Sequence, residues 1–95
     1  MQGKRLRTKH LEVRILASPR FHPRVGFVVP KYNHSAVDRN QLKRRLREIV
    51  RTSILAGLPA VDVVIKTRPS AYNAQFSILL AEVSQTISAA EEFNP

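Results

Sequence analysis

Between residues 35 and 51 the chain reads S-A-V-D-R-N-Q-L-K-R-R-L-R-E-I-V-R, and the side chains there that could do chemistry are cations at helical spacing. At ~100° per residue, Asn40, Lys43, Arg44, Arg47 and Arg51 gather on one side, while Leu42, Leu46, Ile49, Val50 and Ser53 gather on nearly the opposite one. Guanidinium forks hold phosphate oxygens in pairs and lysine adds a point charge, so the chemistry within reach is recognition of a polyanion. The face opposes its own helix: Lys43 with Arg47, Arg47 with Arg51 and Arg44 with Arg47 are like pairs, each costing about 0.2–0.5 kcal/mol. Glu48, within reach of Arg44 and Arg45, is the expected local relief. A stripe of one sign is more stable against a polyphosphate than in water, which favours nucleic acid over a merely solvated face.

Catalysis by the protein alone finds little support. The acids are Glu12, Asp38, Glu48, Asp62, Glu82, Glu91 and Glu92, and no two share a spacing that suggests a metal pair or an acid/base pair. Asp38 and Glu48 have structural tasks, and Asp62 is expected to take a local backbone bond at a strand start. His10, His22 and His34 lie in non-helical segments without ligand spacing. There is no Gly-rich phosphate loop and no nucleophile elbow. Phe27 and Phe76 are expected in the core. Tyr32, beside Lys31, suits stacking on a base or packing in its loop, and the sequence does not choose between them.

The elements that must position these residues follow from periodicity. Ser35, three residues before Asp38, forms a helix start worth about 1 kcal/mol, and Gly57 followed by Pro59 marks the stop. Ahead of it, Leu11, Val13 and Ile15 alternate with Glu12 and Arg14, the period of a half-buried strand. A turn with Pro19 and Pro23 leads to Val25-Gly26-Phe27-Val28-Val29, a continuous apolar run expected to be a well-buried strand in a hairpin with the first. Val61-Asp62-Val63-Val64-Ile65 reads as a third strand. Phe76, Leu79, Leu80, Val83 and Ile87 then make one apolar stripe on a second helix. The order is ββαβα, an α+β domain with both helices on one face of a three- or four-stranded sheet. The strand-helix-strand crossover would ordinarily be right-handed.

Composition sets the bounds. The 95 residues make one domain, with 16 Lys/Arg against 7 Asp/Glu and a formal charge of +9. Residues 1–30, 31–52 and 53–95 carry +6, +5 and −2, so the binding surface should lie in the first half. Residues 1–10 are expected to be a flexible basic start and residues 91–95 a frayed acidic end. The absence of Cys removes disulfide scaffolds and thiolate metal sites and suits the cytoplasm. No apolar run reaches the ~18–20 residues of a membrane span, and the opening lacks a secretory signal's apolar stretch.

At R-N-Q-L-K-R-R-L-R-E the sequence resembles the bacterial ribonuclease P protein component, whose motif is Arg-Asn-Arg-x-x-Lys-Arg or a close variant. Arg39, Asn40, Lys43, Arg44, Arg47 and Glu48 stand in that pattern, with Gln41 in place of the usual second arginine. R-V-G-F-V-V-P-K before it and D-V-V-I-K-T-R after it are similar to the family's flanking strands. The resemblance implies a fold like the second domain of ribosomal protein S5, with a left-handed βαβ crossover that breaks the handedness rule. It implies an accessory subunit whose partners are a catalytic RNA, which hydrolyses the phosphodiester joining the 5′ leader to precursor tRNA, and that precursor tRNA. Mg²⁺ would be bound mainly by the RNA, with no organic cofactor, no membrane and no obligate protein partner. Arg39, Asn40, Lys43, Arg44, Arg47 and Arg51 would face RNA, with Lys31 and Arg68 as flanking phosphate contacts.

The same resemblance implies a preceding helix whose phenylalanines wall a cleft for the leader, and this chain starts where that helix would end. Arg14 also stands where the family often has an aromatic facing the leader. Stacking is worth about 1–3 kcal/mol per base. Either the start is misassigned or trimmed, or the subunit is truly reduced, and in that last case it is expected to bind the catalytic RNA while adding little leader affinity. Three other readings compete. A general RNA-binding or ribosomal protein of related fold would use the same cationic helix. A DNA-binding regulator would need mixed polar types at the helix start and a supporting helix, which are missing. A protein-only nuclease would need a carboxylate cluster.

Overall fold

The computed structural model describes residues 3–17, 22–54, 58 and 60–92. The expected helix stop at Gly57 and Pro59, most of the turn before the second apolar run, and residues 93–95 lie outside them. Strands β1 (Gly3–Arg7), β2 (Leu11–Ala17), β3 (Arg24–Val28) and β4 (Val61–Thr67) form one sheet in the order β1-β2-β4-β3. Helix α1 (Ala36–Ile49) lies between β3 and β4 in sequence and continues as a π-helical turn, Val50–Ile54. A 3₁₀ turn, Pro69–Asn73, leads to helix α2 (Phe76–Glu92). The α+β class, with two helices on a four-stranded sheet, is as expected.

The central strands are those whose sequence alternates most cleanly. Leu11, Val13 and Ile15 of β2 and Val61, Val63, Ile65 and Thr67 of β4 are buried on one face, where Leu42, Leu46 and Ile49 of α1 and Leu79 and Val83 of α2 cover them. Cross-strand partners share a face, so the opposite face carries rows such as Arg5, Arg14, Val64 and Gly26, and it is largely exposed.

Several expectations need correction. The start is ordered: Gly3–Arg7 is an edge strand paired antiparallel with β2, Leu6 opposite Val13, and the only sequential hairpin among the described strands is β1–β2. The expected hairpin of β2 with the apolar run does not form, because β4 lies between them, antiparallel to β2 and parallel to β3. The apolar run itself is an edge strand: Val25 and Phe27 are half-buried while Val28 is exposed. Periodicity reports which face a residue takes and is silent about which strand lies beside it. Phe76 is 47% exposed and so lies outside the core, with buried Glu82 and Thr86 sharing the inner side of α2 with Leu79 and Val83. Glu91 and Glu92 belong to α2, so its end is helical that far.

One end of the sheet is tied by polar side chains. Glu82, buried in α2, accepts the His10 backbone N–H at 2.9 Å and the Thr8 hydroxyl through its Oε1. His10 is itself buried, its Nδ1 bonded to Ser70 Oγ at 2.7 Å and its Nε2 3.6 Å from Glu82 Oε2. Ser70 and Arg68 donate to backbone carbonyls of Lys9 and Thr8 at 3.2 Å. The β1–β2 turn, the 3₁₀ turn and α2 thus share one hydrogen-bonded knot, which satisfies groups that burial would otherwise leave costly.

Candidate nucleic-acid interface

Helix α1 begins where the sequence places it. The Ser35 side chain accepts the Asp38 N–H at 3.1 Å, and Asp38 sits in the first turn, where the helix dipole favours a negative charge. The chain reaches this cap through Tyr32 and Asn33, both left-handed at φ 48° and 72°. Asn tolerates that conformation, whereas Tyr is strained in it and is held by its hydroxyl donating to the Thr67 carbonyl at 3.1 Å. Tyr32 therefore packs its loop, with 36% of its surface still exposed.

With Leu42, Leu46, Ile49 and Val50 turned into the core, α1 presents a crest of Asn40, Arg44, Arg47 and Arg51, all exposed, with Lys43 half-buried at its margin. Asn40, Lys43, Arg44 and Arg47 make no side-chain hydrogen bond or ion pair among the described residues. Arg51 differs: its Nη2 donates to Glu48 Oε1 at 2.7 Å, and this hydrogen bond holds the Glu48 carboxyl below the usual carboxylate range. The local relief expected of Glu48 for Arg44 or Arg45 goes instead to Arg51, at the i,i+3 spacing. The π-helical turn keeps Val50 in the core while Arg51 stays outside, and Thr52 donates to the Glu48 carbonyl at 2.8 Å.

On one flank the crest meets a cleft of about 610 Å³, floored by Val25, Phe27 and Val50 and rimmed by Arg24, Arg47 and Arg51. Arg24 is engaged by Asp62 through two 3.2 Å bonds across the β3–β4 pair. Asp62 thus accepts a cross-strand guanidinium. On the other flank a cavity of about 200 Å³ lies between α1 and the 3₁₀ turn. Nothing in the sequence pattern marked that cavity, because its walls come from segments far apart in the chain.

Two of the expected RNA contacts are anchored within the protein. Arg39 is half-buried and its Nε donates to the Val29 carbonyl at 2.7 Å. Arg68 belongs to the β1–β2 turn through its bonds to Thr8 and Lys9. Lys31 is exposed in the loop before α1. The fold therefore gathers Asn40, Lys43, Arg44, Arg47 and Arg51 on one surface and sets Arg68 apart. Among the described residues no three His, Cys, Asp or Glu side chains come together as a cation cage, and no helix is long and apolar enough to cross a membrane.

Residues 1–91 match the Ribonuclease P family. The chain is 46% identical over 72 residues to the ribonuclease P protein component of Brucella suis, covering 75% of this chain and 51% of that one. It is 33% identical to the ribonuclease P protein component of a Cyanothece species, covering 95% of this chain and 82% of that one. It spans about half the length of the Brucella and Bartonella proteins it matches. Among solved structures, the RNase P protein of Thermotoga maritima superposes with a TM-score of 0.80 at 25% identity, over 93% of this chain and 84% of that one. The Staphylococcus aureus RNase P protein shares the fold at a TM-score of 0.81 and 24% identity, over 97% and 84%.

Proposed function

The chain belongs to the ribonuclease P protein family, and on that footing we propose that it is the RNA-binding protein subunit of ribonuclease P, working in the cytoplasm on precursor tRNA. The catalytic RNA hydrolyses the phosphodiester that joins the 5′ leader, and the protein supplies no acid, base or nucleophile of its own. The observation that carries this proposal is the crest of α1, where Lys43, Arg44 and Arg47 stand without partners among the described residues, on a helix whose other side is buried in the core. Left in water these charges repel one another, and a folded RNA relieves them by replacing condensed counterions.

Mg²⁺ in this reading is held mainly by RNA phosphates, since that ion keeps most of its waters and needs few protein ligands. What this chain contributes is screening of the phosphates that crowd that cation and, at Asn40, an uncharged group able to donate and accept beside it. The test is reconstitution: added to a ribonuclease P RNA at low Mg²⁺, the chain should raise the rate of 5′ maturation of a precursor tRNA, with a smaller gain at high Mg²⁺. Tight RNA binding with no gain in maturation would favour the general RNA-binding protein instead.

A further inference from the structure

We propose that the cavity between α1 and the 3₁₀ turn is a binding site for a single unpaired guanine, an inference that rests on the RNA-binding role proposed above. Its polar and aromatic walls are His34, Asp38, Gln41, Arg45, Tyr72 and Asn73, with Leu42 as the one aliphatic contributor. At about 200 Å³ it lies below the ~300 Å³ at which pockets for drug-sized ligands begin, so it suits one ring system and not a whole nucleotide cofactor.

The site is built before any ligand arrives. The His34 and Tyr72 rings are stacked, centroids 3.9 Å apart and planes within 3°. Tyr72 is anchored by its hydroxyl donating to the Pro30 carbonyl at 2.7 Å, and His34 by its backbone N–H donating to the Lys31 carbonyl at 2.8 Å. The left-handed pair Tyr32 and Asn33 turns the chain so that His34 arrives over Tyr72. Tyr72 covers one face of the His34 ring, yet a third of the His34 side chain remains exposed, which leaves an aromatic surface on which a base extends the stack.

The polar groups around that surface select the base. Asp38 Oδ2 lies 3.4 Å from His34 Nδ1, so the carboxylate stands at the rim of the stacked rings with about half of its side chain exposed to a base entering beside them. A carboxylate accepts only, and guanine is the base that presents two adjacent donors, N1–H and the N2 amino group, to both oxygens at once. Uracil presents one donor between two carbonyl oxygens and is repelled. The amides of Gln41 and Asn73 are available to donate to guanine O6, and the exposed Arg45 can meet the phosphate of the same nucleotide. The cavity opens beside the cationic crest on the same helix, so a base turned out of the bound RNA reaches it without a second docking surface.

The test uses uncharged nucleosides, so that binding by the crest plays no part. Guanosine, inosine and uridine are titrated into the full chain while the ring resonances of His34 and Tyr72 are followed by NMR. Guanosine should shift both rings, inosine, which lacks the N2 amino group, should bind several-fold more weakly, and uridine should leave the rings unmoved. Asp38→Asn should weaken guanosine by about tenfold, the discrimination expected of one bidentate pair. His34→Ala should abolish the shift at Tyr72. Equal binding of the three nucleosides, rings unmoved by guanosine up to its solubility, or an Asp38→Asn chain that binds guanosine as well as the parent would overturn the site. Because the nucleoside comparison needs only the parent chain, the site stands or falls on it even where a variant fails to fold. Failure here leaves the salt-dependent RNA binding of Arg44 and Arg47 standing, since that is read on different residues with a different ligand.

Discussion

The knot at the β1–β2 turn and the crest of α1 use similar side chains to opposite ends. In the knot Arg68, Ser70, Thr8 and Glu82 spend their hydrogen bonds on carbonyls, an N–H and a hydroxyl of the same chain. On the crest Lys43, Arg44 and Arg47 spend none among the described residues. The difference is in the neighbourhood: Arg68 follows β4 into a turn crowded with backbone carbonyls, whereas Arg44 points away from a helix whose own carbonyls are already bonded. A count of basic residues therefore overstates an RNA-binding surface, and what identifies one is a cation left without an internal partner.

The contrast can be broken most forcefully at the knot. Glu82→Ala removes the acceptor of a buried N–H and of the Thr8 hydroxyl, each loss costing about 1–3 kcal/mol, so the thermal midpoint should fall by roughly 10 °C or more. At temperatures where the variant is folded, its salt dependence of RNA binding should match the parent. Arg44→Ala with Arg47→Ala is the converse. Affinity for the catalytic RNA should drop by about a hundredfold at low salt, and the slope of log affinity against log salt should flatten by roughly 1.8, with the thermal midpoint slightly raised as the like-charge pairs are relieved.

Arg39 tests the boundary between the two regions, because it stands in the family motif yet donates to the Val29 carbonyl. Arg39→Ala should cost about 1–3 kcal/mol in denaturant unfolding while flattening the salt slope less than Arg44→Ala does. The smallest effect is expected at Glu48. Glu48→Gln releases Arg51 and should steepen the salt slope by about one contact. Its pH dependence has a definite sign. Arg51 lowers the Glu48 carboxyl in the folded state, so the pair is intact above the ordinary carboxylate pKa and is lost as pH falls through the depressed folded value. Parent and Glu48→Gln should therefore converge in acid and differ near neutrality.

Much of α1 was legible in the sequence because three independent signals coincide there: apolar periodicity, the Ser35–Asp38 start and a one-signed outer face. The Ser35 bond to Asp38 and the burial of Leu42, Leu46 and Ile49 follow from local spacing alone. Strand order was not legible, since β2 and β4 meet across some fifty residues, and the alternation in each says which face it buries and nothing of its neighbour. β1 was obscured by its charges, although Lys4 and Leu6 take the inner side opposite Ile15 and Val13. Arg39 looked equivalent to Arg44 in the motif, yet at ~100° per residue it falls beside the apolar stripe, and that offset already pointed inward. The cavity beside Tyr72 has no sequence signature, because His34 and Tyr72 meet only after α1 and the 3₁₀ turn have packed.

The absence of native Cys allows the central claim to be tested by placing one probe at a time. A tethered hydroxyl-radical source is attached at Glu48→Cys, beside the crest, or at Glu12→Cys, on the open face of the sheet away from the helices, and the chain is bound to the catalytic RNA alone. Strand scission should be strong and localised from position 48 and weak from position 12. Scission that is strong from position 12 and absent from position 48 would contradict the assignment of α1 as the surface that holds the RNA.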